Sequence, residues 1–296
     1  MSDGFSWNSG WARTPLPLGK VHGIVRHGRR WFLCQQAPDA PAIIELADDG
    51  SFVRAWGEEF GAGAHGLSLD GDTLWLTDER GRVVHLTLDG RIIAELAAPR
   101  DGWKPTEVSV APDGRRYVAD GYGSSFIDVY DASDRPIGRF GGPAERGFSR
   151  CKAWEDPGRL EQPHGLRVLQ RLGRWEVLVA DRRRNRLQAF TLDGEHTGFL
   201  HGGVRYPCSV AAWGDDRLVV PDLYACVHVL DHHGRSLAVL GDNAHAWDLP
   251  GWPDLPAQPH GRFIAPHCAW ADPDGTLTIG EWTRPGRVIR LISTTS

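Results

Sequence analysis

One pattern occurs six times along the 296 residues, and such self-similarity constrains the fold more than any local propensity. Each copy has a short apolar strand, a turn, a second strand ending in a small or acidic residue, and a third strand leading to a tight hairpin. The second strands fall at residues 30–34, 74–78, 117–120, 177–181, 218–222 and 277–281. The hairpin signals are Asp49-Gly50, Asp89-Gly90, Ser133-Asp134, Asp193-Gly194 and His233-Gly234, each between β-rich segments. No helical period is sustained for three turns, and 36 Gly with 20 Pro interrupt the chain too often for a helix bundle. The expectation is an all-β six-bladed propeller spanning residues 1–296 as one domain. Its sixth copy stops one strand short, after Leu291. Residues 5–11 are the candidate strand that completes this blade and removes the exposed edges.

Charge and cysteine usage narrow the partners. A net charge of −5 leaves no broad basic surface for nucleic acid, despite the local run Arg182-Arg183-Arg184. No apolar run approaches the roughly 18 residues that span a bilayer, and the start of the chain does not read as a signal peptide. Five cysteines without CxxC spacing (Cys34, Cys151, Cys208, Cys226 and Cys268) argue against a disulfide framework or a zinc ribbon. A reducing, cytoplasmic compartment and a small-molecule partner are expected. Two connections exceed the usual length, at residues 142–162 and 242–263. The second contains Trp247, Pro250, Trp252, Pro253 and Pro256, and is either an ordered cover for one mouth of the channel or a plain insertion.

Aligning the copies at the start of the first strand puts His22, His65, Thr106, His164, Cys208 and His267 in one register. With 13 histidines in the chain, six positions would hold about a quarter of one by chance, yet they hold four. First strands line the channel of a propeller. His65, His164 and His267 sit in alternate blades, at near-threefold spacing, which suits three protein ligands to a zinc or similar divalent metal with one position left open. The competing reading is a His-Gly pair that serves backbone geometry, its imidazole bonded to a carbonyl. His22 is an additional ligand, a neighbouring base or a satisfied channel residue, and Cys208 is either a ligand or a small buried side chain.

These residues carry a resemblance to the NHL-repeat propellers of the peptidyl-α-hydroxyglycine α-amidating lyase type. It runs from about Val21 to Trp282. It is densest in Ala64-His65-Gly66-Leu67, Lys104-Pro105-Thr106-Glu107-Val108, Ala119-Asp120-Gly121-Tyr122-Gly123, Gln162-Pro163-His164-Gly165, Ala180-Asp181-Arg182 and Ala265-Pro266-His267. The resemblance implies a zinc held by His65, His164 and His267, with Tyr122 and Arg182 as catalytic residues. Cleaving the C–N bond of a carbinolamide needs the hydroxyl proton removed as the amide leaves. A tyrosine whose pKa is lowered by nearby positive charge suits that task, and an arginine fork suits a substrate carboxylate. Taken without the resemblance, Tyr122 reads rather as a turn aromatic with its hydroxyl in water, and Arg182 as one member of a solvated basic run.

Three positions depart from that pattern. The family's further active-site arginine corresponds to the stretch Leu33-Cys34-Gln35-Gln36, so Gln35 stands at a substrate-binding position without charge. His22 is a histidine where the family generally has none. Cys268 replaces an acidic residue that contributes to a structural calcium, which weighs against calcium here. Three functions stay open: a metal-dependent lyase for a carbinolamide or related hydroxylated small molecule, another metal-dependent reaction such as hydrolysis or isomerisation, and a non-catalytic propeller that binds a protein partner.

Overall fold

The structure, a computed structural model, describes residues 4–144, 156–255 and 260–294. Cys151 and Pro256 lie outside them. Alternation of buried positions on both faces of each strand makes four-stranded antiparallel sheets that stack side by side. Blade one is β2 (Lys20–His27), β3 (Arg30–Gln36), β4 (Ile43–Ala47) and β5 (Phe52–Trp56). Blade two is β6 (Ala64–Asp70), β7 (Thr73–Asp78), β8 (Arg82–Thr87) and β9 (Ile92–Glu95). Blade three is β10 (Glu107–Val110), β11 (Arg116–Ala119), β12 (Phe126–Tyr130) and β13 (Pro136–Gly141). Blade four is β14 (Pro163–Arg171), β15 (Arg174–Asp181), β16 (Arg186–Thr191) and β17 (His196–Leu200). Blade five is β18 (Ala211–Trp213), β19 (Arg217–Asp222), β20 (Cys226–Asp231) and β21 (Ser236–Leu240). Blade six is β22 (Pro266–Ala271), β23 (Leu277–Glu281), β24 (Arg287–Ser293) and, from the other end of the chain, β1 (Phe5–Asn8).

An apolar cluster fills each interface between neighbouring blades, and the pleat decides which residues go where. In β7, Leu74 and Leu76 pack toward blade one while Trp75 packs toward blade three. In β15, Val177 and Val179 face blade three while Leu178 and Ala180 face blade five. Val21 and Leu33 of blade one meet Cys268 and Val288 of blade six, which closes the circle. The hairpin glycines do steric as well as conformational work. Gly50 has φ +82°, and a Cβ there would meet the Trp11 carbonyl oxygen at 2.1 Å.

The closing strand is shorter than residues 5–11. Phe5 pairs with Ser293 and Asn8 with Arg290 in antiparallel register, and pairing ends there. Trp11 turns away to pack edge-on against Trp31 of blade one, at 5.1 Å between ring centroids. Among the described residues no helix is long and apolar enough to cross a membrane.

Deleting the first nine residues should leave β24 as an open edge and uncover the side of blade six where Trp7 meets Phe263. A loss of about 3 kcal/mol or more is expected from the two aromatic side chains alone, which corresponds to roughly 6–12 °C in a thermal melt. An unchanged midpoint would show that β1 does not hold the ring shut.

Candidate active site

The second strand of a blade fixes where its first strand begins. Asp120 accepts the backbone N–H of Lys104 at 2.8 Å, Asp181 that of Glu161 at 2.6 Å, and Asp222 those of Arg205 and Tyr206 at 2.6 and 3.0 Å. Glu281 accepts Ile264 and Ala265 at 2.6 and 3.0 Å. Each donor lies two or three residues before the channel position. Buried carboxylates need compensation, and Arg100 on Asp120, Arg186 on Asp181 and Arg287 on Glu281 provide it at 2.7–3.0 Å. Gln35 does the same work in blade one. Its side-chain oxygen accepts the Gly19 N–H at 2.7 Å and its amide donates to the Pro41 carbonyl at 2.8 Å. Both ends of Gln35 are therefore spent on backbone, and the structure does not bring it to the cavity where a substrate would sit.

A β-bulge lies in each of the four histidine-bearing strands, between Val21 and Gly23, Ala64 and Leu67, Pro163 and Leu166, and Pro266 and Cys268. Bulges re-aim a side chain, and here they turn His22, His65, His164 and His267 onto the axis, each almost fully buried. His65 Nδ1 lies 2.8 Å from the Thr106 carbonyl, His164 Nδ1 2.8 Å from that of Cys208, and His267 Nδ1 3.1 Å from that of His22. A carbonyl only accepts, so each Nδ1 carries the proton and each Nε2 carries a lone pair. The glycine after the histidine makes the approach feasible. A Cβ on Gly66 would meet the same Thr106 oxygen at 2.6 Å, and one on Gly165 the Cys208 oxygen at 2.4 Å. The His-Gly pair thus serves backbone geometry and also aims the free nitrogen inward.

Four imidazoles close a circle, with centroids 4.5 Å apart for His22–His65 and His22–His267, 4.7 Å for His65–His164 and 4.8 Å for His164–His267. The donor atoms of His22, His65 and His267 lie within 4.8 Å of one another, as do those of His164, Cys208 and His267. His22 stands inside the cluster rather than beside it, and neither of its ring nitrogens has a hydrogen-bond partner among the described residues. Burial, above all, pushes all four imidazoles below the usual 6.5, His65 to about 3. They stay neutral at pH 7. Burial likewise raises the Cys208 thiol to about 12, which makes it a protonated side chain whose carbonyl anchors His164.

Tyr122 and Arg182 reach the same point from neighbouring blades. The Tyr122 hydroxyl is 3.0 Å from His164 Nε2 and 3.2 Å from His65 Nε2, and Arg182 Nη2 donates to it at 3.3 Å. Arg182 also donates from Nε to Gln162 Oε1 at 3.2 Å, and no carboxylate pairs with it among the described residues. Two members of the arginine run, Arg182 and Arg184, are buried, so a solvated basic stretch is not what forms. The tyrosine differs from expectation in one respect. Burial raises its pKa, and the Arg182 charge offsets this only in part.

A cavity of about 210 Å³ opens on these groups, with Tyr122, Arg182 and His267 on its floor. The connection after β21 covers it. Trp247 and Trp252 from that connection form its wall with Tyr206 and Trp282, so the described part of the loop covers the cavity rather than being a plain insertion. Trp252 Nε1 donates to the Ile264 carbonyl at 2.9 Å, and Trp247 stacks on Tyr224 at 4.3 Å. These aromatics were visible in the sequence as composition only.

No family model matches the chain. A probable peptidyl-α-hydroxyglycine α-amidating lyase of Caenorhabditis elegans is 31% identical over 149 residues, which are 45% of this chain and 39% of the relative. The match therefore spans about two fifths of the relative's length. Among solved structures, virginiamycin B lyase from Staphylococcus aureus is similar with a TM-score of 0.65 at 13% identity, over 97% of this chain and 99% of that one. A gluconolactonase from Xanthomonas campestris is similar with a TM-score of 0.67 at 13% identity, over 97% and 89%. At such identity the structural similarities show the fold, a six-bladed β-propeller.

The depressed imidazoles set a pH dependence. In the unfolded chain they titrate near 6.5, and in the folded chain they do not, so below 6.5 the unfolded state binds more protons. Stability of chelator-treated protein should be full above 6.5 and fall as the pH drops toward 3, by about 1.4 kcal/mol per pH unit for each histidine involved. Urea unfolding at pH 7, 6 and 5 measures the slope, and His65→Ala should make it shallower. A flat profile across this range would contradict the buried neutral state.

Proposed function

We propose that this propeller is a metal-dependent lyase that splits a carbinolamide of the α-hydroxyglycine type into an amide and a glyoxylate-like product. The observation that carries the reading is the set of imidazole lone pairs held inward by Nδ1–carbonyl bonds, with Tyr122 and Arg182 touching the same point. The donor set fits a divalent transition metal. It offers buried neutral nitrogens, the ligand form of histidine, and His22 has two of them unpartnered. His65, His164 and His267 would hold the metal, with His22 as a further donor. The three-histidine set favours zinc. When bound, such an ion supplies positive charge and Lewis acidity toward the substrate hydroxyl.

The chain's own groups account for the rest. Tyr122 stands where the carbinol hydroxyl would be presented; the charge of a bound metal would counter the burial that keeps its hydroxyl protonated, and as a phenolate it takes the carbinol proton as the C–N bond breaks and the C=O forms. The proton then goes to the departing amide nitrogen, which balances the step. Arg182, charged and without a carboxylate partner among the described residues, orients the substrate carboxylate by paired hydrogen bonds. The aromatic cover keeps bulk water from the reacting centre. The match to the amidating lyase supports this reading over the part of the chain it covers. One observation favours a second reading, hydrolysis of a small ester or lactone: Gln35 is consumed by its backbone bonds, leaving a single guanidinium in the cavity. The four described cysteines are buried free thiols, which supports a reducing, cytoplasmic setting.

Elemental analysis of purified protein should find about one divalent metal per chain, and His164→Ala should lose it; full retention would remove the central premise. With metal-loaded protein and an N-acyl-α-hydroxyglycine, glyoxylate release is expected. Tyr122→Phe should slow it by roughly 10²-fold or more with metal content unchanged. Undiminished turnover in that variant would remove Tyr122 from the proton transfer. Lactone turnover without glyoxylate release would select the second reading.

A further inference from the structure

The cavity over the histidines has two unlike sides. Its floor is polar and cationic, while its wall is made of flat aromatic faces from Tyr206, Trp247, Trp252 and Trp282. The wall is fixed before any ligand arrives. Trp247 lies between Tyr224, stacked at 4.3 Å and 13°, and Trp252 at 4.2 Å. Trp252 is pinned by its indole N–H to the Ile264 carbonyl, and the covering loop is tied down by Asn243 Nδ2 to the Phe263 carbonyl at 2.9 Å and by the Arg284 N–H to Asp254 at 2.7 Å. A rigid aromatic wall loses little entropy on binding.

Size and charge decide what fits. An apolar cavity of about 150 Å³ takes one benzene, and a water occupies about 30 Å³. About 210 Å³ therefore holds a single ring together with a reacting head of a few atoms, and the further residues of a peptide would lie outside it. A cationic guest is disfavoured because positive charge already lies beside these rings and would repel it. Lys20 Nζ sits 3.4 Å from the Trp282 centroid, and the Arg182 guanidinium lies 5.1 Å from Tyr206 and 5.4 Å from Tyr122. The guest that suits both sides has an anionic head on the floor and one planar ring against the wall. Offset stacking on indole faces favours a ring over an alkyl group of equal area.

We propose that the substrate is a small N-aroyl carbinolamide acid, one aromatic ring joined through an amide to the hydroxylated acid carbon, and that Trp247 and Trp252 select it over both N-alkanoyl analogues and peptides. This rests on the lyase reading of the site, but its test needs no turnover. Compounds without the hydroxyl group cannot react and still report the fit. Binding of N-benzoylglycine, N-acetylglycine and acetyl-Ala-Phe-Gly to metal-loaded protein is measured by tryptophan fluorescence and calorimetry. N-benzoylglycine should bind about tenfold or more tightly than N-acetylglycine and more tightly than the peptide, with quenching of indole emission. Trp252→Ala should reduce the benzoyl-to-acetyl ratio toward one, and Trp252→Phe, which keeps a ring, should retain part of it. Metal content and thermal melts of both variants establish that they fold.

Equal binding of the benzoyl and acetyl compounds, peptide binding as tight as that of N-benzoylglycine, or no binding by any of the three overturns the proposal. A ratio unaffected by Trp252→Ala removes the wall as its cause. The two readings fail separately. Aroyl-selective binding without glyoxylate release from the hydroxylated compounds sinks the lyase reading alone, whereas glyoxylate release from peptide substrates without aroyl preference sinks this one alone.

Discussion

Much of the centre of this propeller depends on one hydrogen bond that recurs in five of the blades, from the backbone N–H of the chain about to enter a blade to a side chain at the end of the blade's second strand. Where that acceptor is a carboxylate, the bond is charge-assisted and buried, the kind whose loss costs most. It has to be, because the carboxylate is itself held in a site that water does not reach. Arg186 on Asp181 and Arg287 on Glu281 keep the charge tolerable, and Gln35 avoids the charge altogether. Because the latch sets the starting point of the first strand, it also sets the bulge two or three residues later. The positions of His164 and His267 on the axis are thus set by acids that never touch them.

The channel register was legible because it repeats. Four histidines at equivalent points of six copies rise above composition, and the missing last strand announced the N-terminal closure. Roles that do not repeat in type were harder to read. Gln35 looked like a substrate residue because it replaces a charged one, yet its neighbours in three dimensions are the Gly19 N–H and the Pro41 carbonyl, and nothing in the local sequence gives those distances. His22 looked optional because its blade breaks the threefold pattern, whereas four rings at this radius touch whether or not the pattern is threefold. The pKa of Tyr122 depends on burial against a single guanidinium, a balance of opposed quantities that residue types alone do not fix.

The aromatic cover shows the same division. Tryptophan and proline in residues 242–263 were plain from composition. That Trp247 stacks on Tyr224 and that Trp252 gives its N–H to Ile264 required the fold, since these partners come from other parts of the chain. The two halves of the cavity are therefore specified by different logics. The floor comes from positions that every blade possesses, and the wall from one insertion that a single blade junction possesses. A family of such propellers could vary its substrates by changing that insertion while the histidine-lined floor stayed constant.

The bond from His267 Nδ1 to the His22 carbonyl crosses the seam of the ring, since it joins the last blade to the first. On a ribosome, residue 22 emerges long before residue 267. The earlier blades can pair their strands as they appear, but the imidazole circle stays open until the end of the chain has been made and has come back to meet its beginning. The complete circle of imidazoles is thus withheld from every incomplete form of the polypeptide. A truncated product, however many blades it had folded, would carry histidines without the geometry that makes them a site.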